Sequence, residues 1–334
     1  MTVTKGSTIY DVADLAGVSI ATVSRYLNNP KKLNPDTARK VQDAMDDLVY
    51  VPHGNTGTKA SRQMGRIGVL TPFFPAPSFV QRLQGMTPIF RKAQCEMVIY
   101  TVDSPEQLKE YLQTIPFSKR LDGLIIMSMR IEESDAERLA QAGLEVVLIE
   151  QQHSEFSGVD ADNVRGGTLA AEHFLEKGYT LNGFLGERIV LPYSLQPSEL
   201  RWQGYSQTLS AAGYPVADRH VRLGEGTVED GCRMALDLLN QTDRPRAIFA
   251  MSDLQAIGVL RASRRLGLKV PQDVAVLGFD DIEAADYMDL STVSQSLGES
   301  GRLAAELLLG RIREPGRPHQ AIQLKVSVVQ RSTT

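Results

Sequence analysis

The stretch TIYDVADLAGVSIATVSRYLNN, residues 8–29, encodes two short helices joined by a tight turn. Thr8 is a good N-cap, and Asp11 three residues on places a carboxylate at the positive end of the helix dipole. Ile9, Val12, Ala13 and Ala16 recur at i, i+3, i+4 and i+7, one face of a helix. Gly17 suits the left-handed residue that ends such a helix. Ser19 then opens a second helix that buries Val23 and Leu27. Its opposite face carries Ile20, Ala21, Ser24, Arg25 and Asn28. Two short helices around a glycine-containing turn form a helix-turn-helix, whose second helix enters the DNA major groove. Arg25 can pair with guanine, Asn28 with adenine or phosphate, and Ile20 and Ala21 can touch thymine methyls. Ser19, Thr22 and Tyr10 can donate to phosphates, which position the protein without specifying sequence.

Working outward, Asn34-Pro35 is a cap followed by proline at the first helical position. A third helix is predicted there, with Ala38, Val41, Met45 and Leu48 inward. Charge supports a separate head. Residues 1–66 hold nine basic and six acidic side chains, +3, while the other 268 hold 27 and 34, −7; the chain total of −4 conceals this asymmetry. A basic head on an acidic body suggests a nucleic-acid module joined to a second module.

From Arg66 the pattern changes. Short apolar runs at 67–70, 98–100, 124–127, 146–149, 184–185, 247–250 and 274–277 predict strands. Helical patterns lie between them, for example at 135–142, 164–177, 198–212, 229–240 and 253–266. This alternation predicts parallel sheets with helical crossovers, and its length predicts two α/β lobes. Ligands of open α/β sheets bind beyond the carboxyl ends of the strands. That rule selects Thr71 to Phe79, including Phe73 and Ser78, then Ser128 to Arg130, Glu150, Ser252-Asp253 and Asp280-Asp281. Carboxylates and a planar arginine there can hold sugar hydroxyls, with aromatic rings against the apolar face of the sugar. Asp253 and Asp281 could equally be helix caps.

Several classes are excluded. The two cysteines give neither a disulfide scaffold nor a metal-ligand spacing, and no GxGxxG or P-loop motif supports a nucleotide cofactor. No cofactor and no metal are expected. The five histidines and the serines lack a catalytic spacing such as GxSxG, so an enzyme is not expected. The start has no signal-peptide pattern and no apolar run is long enough to span a membrane, which points to a cytoplasmic protein.

The stretch at residues 8–29 closely resembles the N-terminus of the lactose/galactose-repressor family of bacterial transcription regulators. The resemblance continues through Thr37, Val41 and Tyr50-x-Pro52. Landmarks in the body carry it further: Asp162-Asn163, Gly167, His173, Gly178, Arg201, Gly204-Tyr205, Asp253, Gly258, Gly278-Phe279-Asp280-Asp281 and Gln330-Arg331-Ser332-Thr333. It implies an all-α helix-turn-helix head at 1–50, a linker at 51–65, and a two-lobed, periplasmic-binding-protein-like core at 66–334. The N-lobe would comprise about 66–162 and 295–325, the C-lobe about 163–292 and 326–334. By the same resemblance, Ile20, Ala21 and Arg25 read bases, and Thr8, Tyr10, Ser19, Asn28 and Thr37 mostly hold phosphates; Thr22, Ser24 and Tyr50 are expected among the DNA-binding residues as well. Arg201, Asp280 and Glu150 would hold the effector, lined by Phe73, Ser78, Phe79, Ser128, Tyr205 and Asp253.

One segment departs from the family pattern. Members carry an Ala-x-x-Leu hinge helix whose leucine wedges into the minor groove, but Thr56 and Lys59 occupy those positions here, in a glycine-rich stretch that also suits a flexible linker. A lysine cannot wedge between bases but can sit against phosphate, so weaker bending of DNA is expected. The implied function is a homodimeric repressor of a metabolic operon. It would bind palindromic operator DNA and respond to a small effector, a sugar or sugar phosphate. Control by a partner protein, as in catabolite-control members, or by a non-sugar corepressor is the alternative.

Overall fold

The computed structural model describes residues 8–28, 33–48, 50, 65–188, 193–195 and 197–334. The linker positions Thr56 and Lys59 lie outside them. The chain divides into two compact units, residues 1–63 and 64–334.

Among its described residues the first unit holds three helices, α1 (Ile9–Ala16), α2 (Ile20–Asn28) and α3 (Pro35–Asp47). Thr8 and Asp11 form a reciprocal capping box, with Thr8 N–H donating to the Asp11 carboxylate at 2.7 Å. Gly17 takes φ 65°, a left-handed geometry that costs a glycine little. Ser19 Oγ accepts from the Thr22 N–H at 3.2 Å, and Asn34 Oδ1 from the Asp36 N–H at 3.0 Å. The core is Val12, Ala13, Ala16, Val23, Val41 and Ala44, with Leu27, Met45, Leu48 and Tyr50 packed around it.

Among its described residues the second unit contains two six-stranded sheets. The first is built from β1 (Arg66–Pro72), β2 (Glu96–Val102), β3 (Gly123–Met127), β4 (Glu145–Ile149), β5 (Ser157–Ala161) and β11 (Ala321–Leu324), in the order β11-β5-β4-β3-β1-β2, all parallel. The second is built from β6 (Asn182–Glu187), β7 (Val221–Gly224), β8 (Ala247–Ala250), β9 (Ala275–Asp280), β10 (Thr292–Ser294) and β12 (Ser327–Val329), in the order β12-β10-β9-β8-β6-β7. Only its edge strand β12 runs antiparallel. The chain crosses between sheets after β5, after β10 and after β11.

The helices α4 (Pro77–Lys92) and α12 (Leu297–Arg313) cover one face of the first sheet; α5 (Pro105–Ser118) and α6 (Glu133–Gln141) cover the other. On the second sheet, α7 (Asn163–Glu176) and α8 (Pro197–Ala211) lie opposite α9 (Val228–Leu239) and α10 (Asp253–Arg265), with α11 (Glu283–Tyr287) following β9. Each apolar run read from the sequence falls in a strand, except that Val274 lies one residue before β9. The strands not read, β5, β7, β10, β11 and β12, are short, and all but β5 are at most four residues long. β11 also alternates exposed and half-buried positions, so none presents a continuous apolar run. Of the stretch from Thr71 to Phe79 selected by the strand-end rule, the part from Pro77 lies in α4 and not in a loop.

Candidate functional site

On the head, α2 turns Ile20, Ala21 and Arg25 to solvent, with Ser24 half-buried beside them. Ile20 is 42 % exposed, an apolar residue held out of the core. Thr8, Tyr10 and Ser19 are exposed; Thr22 and Thr37 are half-buried. The Thr8 hydroxyl donates to Asp11 at 2.7 Å, and those of Ser19 and Thr22 share a hydrogen bond at 2.9 Å, so these polar atoms fix the helix starts as well as facing outward. Asn28 is the last residue of α2. Tyr50 packs against the three-helix core.

In the body, topology selects the second site. In each sheet the order reverses next to the first strand of its lobe: β2-β1-β3 in one, β7-β6-β8 in the other. Adjacent loops then leave in opposite directions and open a crevice at the strands' carboxyl ends. Phe73 follows β1, Ser128 follows β3, Glu150 follows β4, Glu187 ends β6 and Asp280 ends β9. Phe73, Ser128, Glu150 and Asp280 all have positive φ, of 54°, 55°, 69° and 116°. Such backbone costs about 1–3 kcal/mol per residue and clusters at binding sites.

The side chains join into one network spanning both lobes. Glu150 accepts from the buried Arg82 guanidinium and from the Ser128 hydroxyl. Arg82 also reaches Ser300 Oγ and Gln295 Oε1, each at 3.3 Å, and Gln295 Nε2 donates to Asp280 at 2.6 Å. Asp280 lies 3.8 Å from Arg201, whose Nε donates to Asn163 Oδ1 at 2.9 Å and whose Nη1 donates to the Met251 carbonyl at 2.5 Å. The Arg201 guanidinium sits 3.6 Å over the Phe279 ring. At the other side Phe79 is 5.5 Å from the Arg82 guanidinium and 6.0 Å from Phe73, which is exposed. Ser78 is half-buried in the first turn of α4.

The charges are unequally placed. Burial raises the Asp280 carboxyl, against Arg201 and Arg82, to about 6. Burial also raises Glu187, reinforced by Asp280 and Glu150 and opposed by Arg201. Burial likewise pushes Glu150 upward, but Arg82, Ser128 and Arg201 together outweigh it and leave that carboxyl below the ordinary range. The lobes also touch directly. Leu195 N–H donates to the Ser128 carbonyl, Arg130 N–H donates to the Tyr193 carbonyl, each at 3.0 Å, and the Tyr193 ring is buried in the first lobe's core.

Comparison with known proteins matches residues 8–53 to the bacterial regulatory proteins of the lacI family and residues 171–334 to a periplasmic binding protein-like domain. The chain is 30 % identical to the ribose operon repressor of Escherichia coli (strain K12), over 98 % of this chain and 99 % of that one. The chain belongs to the lacI family of bacterial regulatory proteins. Among solved structures, the Lac repressor dimer bound to operator and an anti-inducer is 25 % identical, with a TM-score of 0.78 over 99 % of both chains. A cellobiose complex of the transcriptional regulator CelR is 27 % identical, with a TM-score of 0.70, over 98 % of this chain and 100 % of that one. This lacI-family chain is a DNA-binding transcriptional regulator.

Two expected cleft residues of this regulator lie elsewhere. Tyr205 is fully buried among Phe174, Phe184, Trp202 and Phe249, and its hydroxyl donates to the Gly183 carbonyl at 3.3 Å. It is a core residue of the second lobe, because α8 turns that position onto the sheet. Asp253 is also fully buried. Ser252, not Asp253, caps α10, and Asp253 accepts from Thr292 Oγ1 at 2.6 Å and the Ile282 N–H at 2.9 Å. It braces the loop after β9 and has no surface for an effector. Conversely, Arg82, Gln295, Glu187 and Asn163 were not expected. A signal for Arg82 exists: Arg82-Leu83-Gln84-Gly85 on α4 repeats Arg201-Trp202-Gln203-Gly204 on α8, and both helices begin Pro-Ser. Both glycines pack against a neighbouring helix. A Cβ on Gly85 would lie 2.0 Å from the Gly298 carbonyl oxygen, and one on Gly204 1.9 Å from that of Val164. The same device therefore sets each arginine at the crevice.

Proposed function

We propose that this regulator is a cytoplasmic, homodimeric repressor of a metabolic operon that binds a sugar or sugar phosphate between its lobes. The observation that carries the effector reading is the network running from Ser128 through Glu150, Arg82, Gln295 and Asp280 to Arg201. It gathers polar groups from the carboxyl ends of both sheets, beside the aromatic rings of Phe73 and Phe79. Hydroxyls of a sugar find acceptors and donors there, and its apolar face finds rings. Gln295 lies on the crossover between β10 and α12, so a ligand held by Asp280 pulls on the segment that joins the lobes. Such a ligand shifts DNA affinity by its differential affinity for two lobe arrangements.

On DNA, Arg25, Ile20 and Ala21 read bases, while Thr8, Tyr10, Ser19, Thr22, Asn28 and Thr37 hold phosphates. Two heads in a dimer read a palindromic site. Lys59 in the linker adds a phosphate contact where relatives place an apolar wedge. The test is a fluorescence-anisotropy titration of the full chain on its own promoter fragment, at several salt concentrations and with a panel of sugars. Binding should weaken steeply with salt and change with one sugar class. Absence of salt-dependent binding to any promoter fragment refutes the DNA reading; operator binding that no member of the panel alters refutes the effector reading.

A further inference from the structure

Both buried arginines of the crevice already face carboxylates. Arg82, its side chain 3 % exposed, pairs with Glu150, and Arg201, also 3 % exposed, lies 3.8 Å from Asp280. Glu187 then stands as a third carboxylate within electrostatic reach of Arg201, Asp280 and Glu150. Among the described residues, neither its oxygens nor Asp280 Oδ2 has a hydrogen-bond donor, although Asp280 is nine-tenths buried. Residues 189–192 and 196 of the neighbouring loop carry no charged side chain by sequence. Arg130 and Arg188, which also follow crevice strands, are exposed.

Among the described residues the crevice therefore holds at least three carboxylates, Glu150, Asp280 and Glu187, against two cations, with Asp160 a further one within electrostatic reach of Glu150 and Arg82, and its vacant positions include the oxygens of Glu187 and Asp280 Oδ2. A phosphate or carboxylate offers only more acceptors. An anion set against Arg201 would lie beside Asp280, itself 3.8 Å from that guanidinium, and would add a further negative charge to a buried site whose carboxylates already outnumber its cations. A hydroxyl donates to a carboxylate and needs no counter-charge. Resting on the reading of this crevice as an effector site, we infer that its ligand is an uncharged polyhydroxylated compound, a free sugar and not a sugar phosphate, sugar acid or other anion. Burial displaces the Asp280 and Glu187 carboxyls upward even against the pull of Arg201, so a further anion in the same desolvated space is disfavoured.

The experiment uses the full chain and matched pairs: D-ribose with ribose 5-phosphate, D-glucose with glucose 6-phosphate and gluconate, and cellobiose with cellobionate. Thermal shift finds binders, since a ligand of the folded state raises stability, and calorimetry measures them. The expected result is stabilisation by a neutral sugar, with its phosphate or acid at least tenfold weaker. The Glu187→Gln variant should then narrow that gap by weakening the neutral sugar and relieving the repulsion of the anion. An anion that binds as well as or better than its neutral parent overturns the inference and leaves the effector reading standing. If no member of any pair binds while operator binding is intact, the effector reading fails, and the inference with it.

Discussion

Gly204→Ala should unfold the protein's second lobe more readily, although alanine is the better helix former. Gly204 lies where α8 crosses α7, and a Cβ there would sit 1.9 Å from the Val164 carbonyl oxygen and 2.9 Å from the Thr168 nitrogen. Ordinary contact begins near 3.4 Å, so the helices must part by about 1.5 Å along that line. Both obstructing atoms are backbone and cannot rotate away. The reciprocal contact is as close, because a Cβ on Gly167 would lie 1.9 Å from the Arg201 carbonyl oxygen. Overpacking of a dense interior costs about 1–3 kcal/mol and more where nothing can yield. The gain from alanine over glycine in a helix is about 1 kcal/mol. At the upper end of that cost a net loss of about 2 kcal/mol follows, and at roughly 2–4 °C per kcal/mol for a domain of this size the melting temperature falls by about 4–8 °C. Arg201, one turn earlier, moves with the helix, so binding of the stabilising sugar should weaken together with stability. Gly298→Ala is the control. It lies in α12 with no atom within 4 Å of its added Cβ, and should leave stability unchanged or raise it by up to about 1 kcal/mol. Thermal melts and urea titrations of both variants decide the matter: a Gly204→Ala protein as stable as the parent would refute the close helix crossing.

Three further outcomes are expected. Asp280 has its folded-state carboxyl raised to about 6, so its contribution to stability is present at pH 4 and lost as pH rises through 6. Asp280→Asn should therefore gain stability relative to the parent between pH 4.5 and pH 7 in urea titrations; a constant difference across that window contradicts the buried, raised carboxyl. Arg25→Ala removes an exposed guanidinium from the outer face of α2 and should weaken operator binding by about 1–3 kcal/mol while flattening preference at one base pair; anisotropy on single-base operator variants measures both, and an unchanged preference counts against base reading. Tyr193→Ala empties a pocket in the first lobe's core that the second lobe's loop fills, and should cost about 3 kcal/mol, whereas Tyr193→Phe, whose lost hydroxyl has no hydrogen-bond partner among the described residues, should be near neutral. Equal midpoints for the two Tyr193 variants in a urea titration would deny that inserted ring.

The head was legible because its determinants are local. The cap at Thr8 and Asp11, the turn at Gly17 and the cap at Asn34 each act within three residues. The strand runs of the body were legible for a similar reason, since buried parallel strands are apolar on both faces. The strand-end rule then located Ser128, Glu150 and Asp280 without knowledge of their partners. Position alone could not separate Arg201 from Tyr205, which lie one helical turn apart on α8. The approach of α7 at Gly167 and Gly204 sets the angle that sends the arginine to the crevice and the tyrosine to the core. Asp253 illustrates the same limit, because a carboxylate at a strand end is a ligand, a cap or a brace according to what the distant Thr292 and Ile282 bring to it.

The sequence by itself determined a three-helix DNA-reading head and an alternating α/β body, since propensity, capping and hydrophobic period are written over a few neighbouring residues. The tertiary structure alone decided the site. Arg82 meets Glu150 across 68 residues of chain and Gln295 across 213. Such contacts depend on sheet order and on three crossings between lobes. The charge balance of the crevice, in which carboxylates outnumber the two buried guanidiniums, exists only once those crossings fold the distant segments together.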